Sequence, residues 1–454
     1  MKKVVNPYTQ KVVCEITLSN EKEVNQIVKK AVQAKNPFRK LSSGDRAQVL
    51  KKIISGIESN YESFIETISK ESGKPYRYAK GEVDRAIQTF AIASEECKRL
   101  PHELVDLDAT EKGRGLKGEV IYTPKGVVFG ISPFNFPLNL AVHKIAPAIA
   151  TGCPIILKPS SKTPLTMELL KKIIDSTELP KGGFQIVHCS REVGNQLIEH
   201  PSIDVLSFTG SPDVGWKMKG MAGKKYTILE LGGNAAAIVA KDANIDIAVD
   251  ELIVGGFAYS GQVCIHTQRI YVHQSLKDEF MAKYVAKVKQ LKSGNPLDKS
   301  TEFGVMIDEA NAERVEKWVN EALQKGAECV IGAKRKGALY SPTVLTNVPK
   351  GAKVSEEEVF GPVVLIESFA TMEKAINEVN DSRWGLQTSI FTNQIDVRNR
   401  VFDELVVGAV IHNKSTTFRV DDMPYGGVKD SGFGREGIRY AMMDYLEPKL
   451  LVRE

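Results

Sequence analysis

Cys264 is the residue of this sequence whose type could most directly supply a nucleophile. It lies in the segment YSGQVCIH, after a glycine-containing turn that could expose its thiol to a cleft. The thiolate is the reactive form of cysteine, and it attacks electrophilic carbon atoms. Free cysteines are more often buried as small hydrophobic residues, however, and the segment alone favours that structural role for Cys264.

Glu230 and Asn135 are polar residues in apolar surroundings. Glu230 lies in ILELGG between Leu229 and Leu231, at the end of a predicted apolar strand. Burial without a partner would raise the pKa of its carboxyl group and suit a general base, although a lysine elsewhere could pair with it. Asn135 stands between two phenylalanines in SPFNFPLNL. Its amide could donate to an oxyanion, and an Asx turn is the structural alternative.

Two predicted strand ends could bind a phosphate or a ribose. In VLSFTGSPDVG, a strand over 205–208 leads through Gly210 and Ser211 into a helix, whose first N–H groups attract anions. The segment matches neither GxGxxG nor a P-loop, and a simple glycine turn explains it equally well. In ILKPSSKTP, a strand ends at Lys158 and a helix is predicted with Pro164 in its first turn. Lys158 could reach a ribose or phosphate, although this segment alone favours a solvated lysine.

The elements that must position these residues alternate between strands and helices. From about residue 126 to YTILELGG, short β-branched runs alternate with helical segments, which predicts a buried parallel sheet with right-handed crossovers. A second series of this kind is predicted from about residue 243 to GAVIHN. Before them, a short hairpin and helices extend to about residue 100, and Asn20 with Glu23 predicts a capping box. We therefore expect two α/β domains with the site between them.

Composition and charge exclude several classes of protein. A length of 454 residues predicts two or three domains. The 61 basic and 56 acidic residues are mixed along the chain without a basic stripe, so no nucleic-acid partner is expected. The six cysteines lie far apart without zinc-ligand spacing, which predicts reduced thiols and no metal site. No run resembles a signal sequence or a membrane span, so we expect a cytoplasmic protein without a membrane partner.

Seven motifs, in order along nearly the whole chain, resemble those of the aldehyde dehydrogenase superfamily. They are PFNFP, LKPS, FTGS, LELGG, GQVC, EEVFGPV and PYGGVKDSGFGREG. The resemblance implies an α/β fold with a Rossmann-type cofactor-binding domain (1–104 and 124–232) and a second α/β catalytic domain (233–430). It also implies a small β oligomerisation flap (105–123 and 431–454) that would pair subunits into a homodimer or homotetramer.

The same resemblance implies roles for individual residues. Cys264 is implied to be the nucleophile, Glu230 the general base, and Asn135 with the Cys264 backbone N–H the oxyanion hole. The implied reaction oxidises an aldehyde to a carboxylate through a thiohemiacetal and a thioester, which activated water hydrolyses. The implied cofactor is NAD or NADP. Lys158 is implied to bind its adenosine ribose, and Gly210 and Ser211 its pyrophosphate. Glu358 and Phe360 are implied to hold its nicotinamide end.

Two further positions bear on the cofactor and the substrate. Ser161 stands where strongly NAD-selective members carry a glutamate, so repulsion against a 2′-phosphate is absent and the choice between NAD and NADP stays open. Arg419 precedes PYGG and could bind a carboxylate, phosphate or sulfonate of the substrate. An ion pair with Asp421 or Asp422 is equally compatible with the sequence. The RVDxMPYGG pattern resembles branches acting on lactaldehyde, phosphonoacetaldehyde and related small polar aldehydes.

Three other functions are compatible with parts of this pattern. A CoA-acylating semialdehyde dehydrogenase would pass the thioester to CoA, but such members typically lack the general base, so Glu230 argues against it. A cofactor-independent cysteine esterase would need no phosphate-binding turn. A non-catalytic structural protein would need none of the three reactive residues. His266 is a rival base two residues after Cys264, but the family motif assigns it no role, which favours a structural histidine.

Overall fold

The computed structural model describes residues 1–454, and the chain begins with a hairpin followed by helices. The predicted capping box is confirmed, because Asn20 accepts from the backbone N–H of Glu23 at 3.1 Å and the Glu23 carboxylate accepts from that of Asn20 at 2.9 Å. The elements of this part are β1 (Lys2–Val5), β2 (Val12–Ile16), α1 (Glu21–Arg39), α2 (Ser43–Ser59), α3 (Tyr61–Ser72) and α4 (Tyr76–Glu96).

The next part of the chain alternates strands and helices, as predicted. Its helix over Leu165–Asp175 begins one residue later than expected, because Pro164 is the N-cap and the first helical residue is Leu165. The elements are β3 (His102–Asp106), β4 (Lys117–Pro124), β5 (Val128–Ile131), α5 (Asn139–Thr151), β6 (Ile155–Lys158), α6 (Leu165–Asp175), β7 (Phe184–Ile186), α7 (Arg191–Glu199), β8 (Val205–Thr209), α8 (Pro212–Met221) and β9 (Tyr226–Glu230).

A second alternating series follows, and it starts earlier than about residue 243. Its first strand lies in the alanine-rich run AAAIVA, where only two residues are of the β-branched type that marks most strands. The elements are β10 (Ala236–Val239), α9 (Ile245–Phe257), β11 (Arg269–His273), α10 (Lys277–Val288), α11 (Glu309–Gln324), β12 (Glu328–Ile331), β13 (Arg335–Lys336), β14 (Leu339–Tyr340), β15 (Thr343–Thr346), α12 (Lys353–Glu356), β16 (Val363–Phe369), α13 (Met372–Asn380), β17 (Trp384–Gly385), β18 (Gln387–Phe391), α14 (Ile395–Glu404), β19 (Ala409–His412), β20 (Val428–Lys429), β21 (Gly432–Phe433), α15 (Ile438–Asp444) and β22 (Leu446–Arg453).

The first sheet has six strands in the order β21-β9-β8-β5-β6-β7. From β5 the chain adds β6 and β7 on one side and then β8 and β9 on the other, all parallel. The strand order therefore reverses between β5 and β8, and the carboxyl ends at such a reversal form a ligand-binding crevice. The C-terminal strand β21 pairs antiparallel with β9 and brings Gly432 opposite Glu230.

The second sheet has seven strands in the order β12-β15-β16-β11-β10-β18-β19. Its neighbouring strands are parallel except for β12, which pairs antiparallel with β15 at one edge. The predicted α/β class is thus confirmed. No helix of the structure combines the length and the apolar character that crossing a membrane requires.

A separate three-stranded antiparallel sheet, which we call the flap, has the order β22-β4-β3. Only the last strand of the C-terminal segment, Leu446–Arg453, belongs to it. Within residues 431–445, β21 instead extends the six-stranded sheet, and Ile438 and Met442 of α15 join the 37-residue hydrophobic cluster around α5. The predicted segment boundary at residue 431 therefore does not coincide with the start of the flap strand.

Candidate active site

Cys264 follows a strained turn after the α9 helix. Three consecutive residues of that turn, Tyr259, Ser260 and Gly261, have φ angles of 47°, 55° and 68°. Side chains anchor it, because the Tyr259 hydroxyl donates to the Ser72 carbonyl at 3.0 Å and the Ser260 hydroxyl to a backbone carbonyl at 2.7 Å. A left-handed backbone is costly for residues other than glycine, so the packing around the turn must hold it. The strain lies directly before the candidate nucleophile.

The Cys264 side chain lies where two cavities meet. One cavity, of about 500 Å³, lies between the ends of the two large sheets, and ten of its 21 lining residues have polar or charged side chains. The other, of about 260 Å³, is lined by α4 and by residues before and after the cysteine, and it includes Arg85 and Arg419. We call them the polar cavity and the arginine cavity. A thiol at their junction can react with a molecule that enters from either side.

Burial raises the pKa of the Cys264 thiol to about 11. A hydrogen bond with Tyr425 and the nearby cation of Arg419 lower this pKa but do not offset the effect of burial. The Sγ atom lies 2.9 Å from the Tyr425 hydroxyl. Glu358 and Glu230 act in the same direction as burial, because a neighbouring negative charge disfavours the thiolate. The free thiol is therefore protonated at neutral pH and needs its polar neighbours to ionise.

Glu230 lies at the carboxyl end of β9 and lines the polar cavity with Cys264. Its side chain is buried, and neither carboxylate oxygen has a hydrogen-bond partner. Burial, followed by the negative charge of Glu436, raises the pKa of the Glu230 carboxyl group well above its usual value. The lysine partner that the sequence left open as an alternative is absent, because Lys144 lies 3.1 Å from the Glu436 carboxylate instead.

Asn135 also lines the polar cavity, just beyond β5. Its amide nitrogen donates to the Gln262 carbonyl at 2.9 Å, which ties it to the turn before Cys264. An amide nitrogen carries two hydrogens, so one N–H remains for another acceptor. The backbone N–H of Cys264 has no acceptor within the protein either. Two donors beside the thiol are thus available.

The polar cavity suits a dinucleotide because it combines a helix N-terminus with carboxylates and aromatic rings. Gly210 and Ser211 line it at the start of α8, and the Ser211 side chain does not cap that helix. Glu358 lines it too, and burial raises the pKa of its carboxyl group to about 8. A Cβ atom at Gly232 would overlap the Glu358 carboxylate, so this glycine makes room for it. Phe360 meets Phe134 edge-on, with ring centroids 5.9 Å apart.

Lys158 and Ser161 do not line the polar cavity. They lie at the carboxyl end of β6, on the same edge of the six-stranded sheet as Gly210 after β8. The Ser161 hydroxyl accepts a hydrogen bond from the Lys2 ammonium group at 2.6 Å. Burial lowers the pKa of the Lys158 ammonium group, as do the charges of Lys2 and Arg191, although Cys189 opposes them. A positive cluster thus lies at the far end of this edge.

Arg419 does not pair with either neighbouring aspartate, so that alternative is wrong. Its guanidinium lies 3.1 Å from the Glu436 carboxylate and is stacked 3.6 Å from the ring centroid of Tyr425. Asp421 instead binds Arg85, at 2.6 and 3.1 Å, and His143 at 2.7 Å. Arg419 lines the arginine cavity, and its buried Nε–H has no hydrogen-bond partner within the protein.

His266 is a structural residue in this fold. It is buried, its Nε2 atom lies 2.9 Å from the Gly256 carbonyl oxygen, and burial lowers the pKa of its imidazole to about 4. It lines neither of the two cavities that meet at Cys264. The structural interpretation of His266 is therefore confirmed.

Several residues of the two cavities had no signal in the sequence. Arg85 and Arg314 lie on amphipathic helices, where an arginine usually marks a solvated face. Trp318 and Trp384 line the polar cavity beside Arg314, whose guanidinium lies 4.7 Å from the Trp318 ring centroid. Tyr425 lies in the motif PYGGVKDSGFGREG, and only its tertiary contact with the thiol gives it a candidate role.

The chain is similar to known proteins over nearly its whole length. The sequence model described as "Aldehyde dehydrogenase family" matches residues 1–451. A 3-sulfolactaldehyde dehydrogenase of Priestia aryabhattai is 41% identical over 451 residues, covering 99% of this chain and 94% of that protein. A lactaldehyde dehydrogenase of Methanococcus aeolicus is 40% identical over 456 residues, covering 99% and 96%.

Solved structures are similar over the whole chain. An aldehyde dehydrogenase of Physcomitrella patens in complex with the reaction product succinate has a TM-score of 0.98 and 44% identity, covering 100% of this chain and 94% of that one. A glyceraldehyde-3-phosphate dehydrogenase of Methanocaldococcus jannaschii complexed with NADP has a TM-score of 0.95 and 38% identity, covering 99% and 98%.

Proposed function

The chain belongs to the aldehyde dehydrogenase family, and from this premise we propose that Cys264, Glu230 and Asn135 carry its catalysis. The protein is an NAD(P)-dependent aldehyde oxidoreductase that oxidises an aldehyde to an acid. The observation that carries the residue assignment is the position of Cys264 at the junction of the polar cavity and the arginine cavity. The aldehyde carbon would meet the thiolate at that junction.

In the first step the Cys264 thiolate attacks the aldehyde carbon and forms a thiohemiacetal. Negative charge develops on the former carbonyl oxygen, where the free Asn135 amide N–H and the Cys264 backbone N–H can donate hydrogen bonds. These donors are fixed before the reaction, because Asn135 is held by the Gln262 carbonyl. Fixed donors of this kind need no rearrangement as the charge develops.

When bound, the nicotinamide ring supplies the electron-pair acceptor of the oxidation. The polar cavity would hold the cofactor through the α8 N-terminus at Gly210 and Ser211 for the pyrophosphate, with Glu358 and Phe360 at the nicotinamide end. Asn311 and Arg314 line the same wall and add hydrogen-bond donors there. Lys158, at the other end of the strand edge, would bind the adenosine ribose.

Glu230 would then activate the water that hydrolyses the thioester. Its raised pKa makes it a stronger base than an exposed glutamate, and both of its oxygens are free to accept a hydrogen bond. A CoA-acylating enzyme needs no such base, so Glu230 favours water as the acyl acceptor. An esterase would turn over without the cofactor, which provides a direct control.

The substrate we propose is a small aldehyde with an anionic group. The buried Arg419 keeps its Nε–H unpartnered in the arginine cavity, where a carboxylate, sulfonate or phosphate oxygen can accept it. Two relatives support this choice, since one is named for 3-sulfolactaldehyde and another was solved with succinate. Both of those molecules carry an anionic group.

For the cofactor we propose a preference for NADP. Ser161 brings no carboxylate to the ribose position, and Lys2, Lys158 and Arg191 give that position a positive charge. A charged 2′-phosphate would be attracted by these groups more strongly than an uncharged ribose hydroxyl. The relative from Methanocaldococcus jannaschii was solved with NADP.

We also propose a domain and subunit organisation. The six-stranded sheet with the N-terminal helices would be the cofactor-binding domain and the seven-stranded sheet the catalytic domain. The flap exposes Leu104, Ile121 and Leu451, which supports pairing of subunits into a homodimer or homotetramer. All six cysteines are unpaired, which suits the reducing cytoplasm.

One matched pair of aldehydes tests the proposed function. 3-Sulfolactaldehyde and lactaldehyde differ by a sulfonate group, and each is assayed with NADP and with NAD by the absorbance of the reduced cofactor. We expect kcat/KM to be at least about 10-fold higher for the sulfonate, and Arg419→Gln to remove this preference. Equal kcat/KM for both aldehydes would refute the anionic substrate, and turnover without a cofactor would refute the dehydrogenase assignment.

A further inference from the structure

Tyr425 is the polar side chain in direct contact with the candidate nucleophile, at 2.9 Å between its hydroxyl oxygen and the Cys264 sulfur. We propose that Tyr425 is a catalytic residue whose hydroxyl donates a hydrogen bond to the Cys264 thiolate, both when the sulfur attacks and when it leaves. This inference rests on the proposed role of Cys264 as the nucleophile. It adds a donor on sulfur to the donors that serve the substrate oxygen.

The protein fixes the position of the Tyr425 ring. Its backbone forms a two-way bridge with Glu436, with N–H to carbonyl distances of 2.9 and 2.6 Å. The side chain is buried and packs with Leu386 and with Val263 and Ile265, the two residues that flank the cysteine in the sequence. The hydroxyl has one hydrogen-bond partner in the protein, which is the Cys264 sulfur. No other contact explains why a phenol rather than a phenyl ring lies here.

The direction of this hydrogen bond follows from the charges around it. A thiolate has no proton to donate, and burial keeps the Tyr425 hydroxyl protonated by raising its pKa well above the usual value. The Arg419 guanidinium, stacked 3.6 Å from the ring centroid, draws electron density from the phenol and strengthens it as a donor. Arg419 also favours the thiolate, whereas Glu230 and Glu358 disfavour it. Tyr425 and Arg419 therefore both stabilise the thiolate, whereas burial and the two carboxyl groups disfavour it.

The hydrogen bond acts at two points of the reaction. In the attack, the thiol first loses its proton to water in the cavity, and the sulfur electron pair then forms the C–S bond as the carbonyl π pair moves to oxygen. In thioester hydrolysis, Glu230 takes a proton from water as the water oxygen adds to the acyl carbon, the C–S bond breaks, and its electron pair returns to sulfur as the acid is released. Sulfur carries negative charge before the first step and after the second, and Tyr425 keeps its own proton throughout.

The test is the pH dependence of Cys264 alkylation in Tyr425→Phe, without cofactor or substrate. Iodoacetamide reacts with the thiolate, so its rate between pH 7 and pH 10, followed by mass spectrometry of the Cys264 peptide, reports the thiolate fraction. We expect the variant to react about 10-fold more slowly at each pH, because a hydrogen bond to a charged group is lost. A similar loss in kcat/KM should accompany it.

Tyr78→Phe is the matched control, because Tyr78 lines the arginine cavity but makes no hydrogen bond to the Cys264 sulfur. It should leave the alkylation profile unchanged. The Tyr425→Phe variant deletes no other hydrogen bond, so its melting temperature should stay near that of the parent. An alkylation profile identical to the parent's would overturn the proposal. Aldehyde oxidation that persists in Cys264→Ala would instead overturn the proposed nucleophile, so the two failures are distinguishable.

Discussion

Glu230 and Glu436 are two buried carboxyl groups whose pKa values shift in opposite directions. Burial opposes the ionisation of both, but Lys144, His143 and Arg419 lower the pKa of Glu436. Glu230 has no such cation in contact, and the charge of Glu436 raises its pKa further. Groups whose environments separate their pKa values in this way often divide acid and base roles. Here the permanent charge of Glu436 helps to keep Glu230 a strong base.

Ser161 carries the first prediction at the scale of the residue. Ser161→Glu places a carboxylate beside the positive cluster of Lys2 and Lys158, where it would repel a 2′-phosphate and accept hydrogen bonds from ribose hydroxyls. We expect KM for NADP to rise about 10-fold or more and KM for NAD to fall, with kcat little changed. Steady-state kinetics with each cofactor at saturating aldehyde measures this.

The control for this prediction is Lys3, the exposed residue after Lys2 in the sequence, because the hydrogen bond to Ser161 comes from Lys2. Lys2→Gln should raise KM for NADP, as Ser161→Glu should, whereas Lys3→Gln should change KM for neither cofactor. An unchanged ratio of the two KM values in both Ser161→Glu and Lys2→Gln would contradict the assignment of the 2′-phosphate site.

The sequence predicted the environment of some site residues and not of others. Glu230 could be recognised as buried because of its apolar neighbours in the strand, whereas the absence of a lysine partner could not be predicted. The partner of Arg419 could not be predicted, because Glu436 reaches Arg419 through the bridge that Tyr425 makes with the segment after β21. The local sequence offered Asp421 and Asp422 as possible partners, but Arg85 and His143 from two helices bind Asp421.

At the scale of the element, the turn before Cys264 should be intolerant of a side chain at Gly261. This residue has φ of 68°, and a Cβ atom would overlap the Gly361 carbonyl group. We expect Gly261→Ala to lower the free energy of unfolding by about 2 kcal/mol or more and to reduce kcat, because the turn and the cysteine must shift. Thermal unfolding and steady-state kinetics measure the two effects.

Gly220→Ala is the control within the α8 helix, because a Cβ atom added there would meet nothing within 4 Å and the φ of Gly220 is not positive. This change should raise stability by about 0.5–1 kcal/mol, since alanine has the higher helix propensity. If Gly261→Ala proved as stable and active as Gly220→Ala, the turn would not be what positions the thiol.

Elements with strong local patterns were predicted well from the sequence. The β-branched strands and the capped α1 helix have local signals, whereas β10 has four residues, two of them alanine, and is a strand because β11 and β18 flank it. The antiparallel β21 likewise depends on its partner β9. Such short elements are determined by tertiary contacts, which a single sequence does not display.

At the scale of the whole molecule, the flap exposes large apolar side chains, including Leu104, Ile121 and Leu451, among charged residues. Ile121 lies opposite His102 and Lys449, and the register places Leu104 and Leu451 on the same face. We expect the double variant Ile121→Lys and Leu451→Lys to dissociate the oligomer, because like charges would meet in the interface. Light scattering after size-exclusion chromatography measures the mass.

The control Ile395→Lys adds one charge to exposed α14 and should leave the mass unchanged. A parent protein that is already monomeric would contradict this organisation.

The proposed base Glu230 lines the same cavity as Cys264, and Glu230→Gln tests its role in hydrolysis most directly. A glutamine can accept no proton, so we expect a burst of about one reduced cofactor per site, turnover at least about 100-fold slower, and an acyl adduct on Cys264 by intact mass. Parent hydrolysis should quicken as pH rises through the raised pKa of Glu230, because only the ionised carboxylate is a base, and the variant should lose this dependence. A variant that turns over at the parental rate without a burst, or with Cys264 unmodified, would contradict the account.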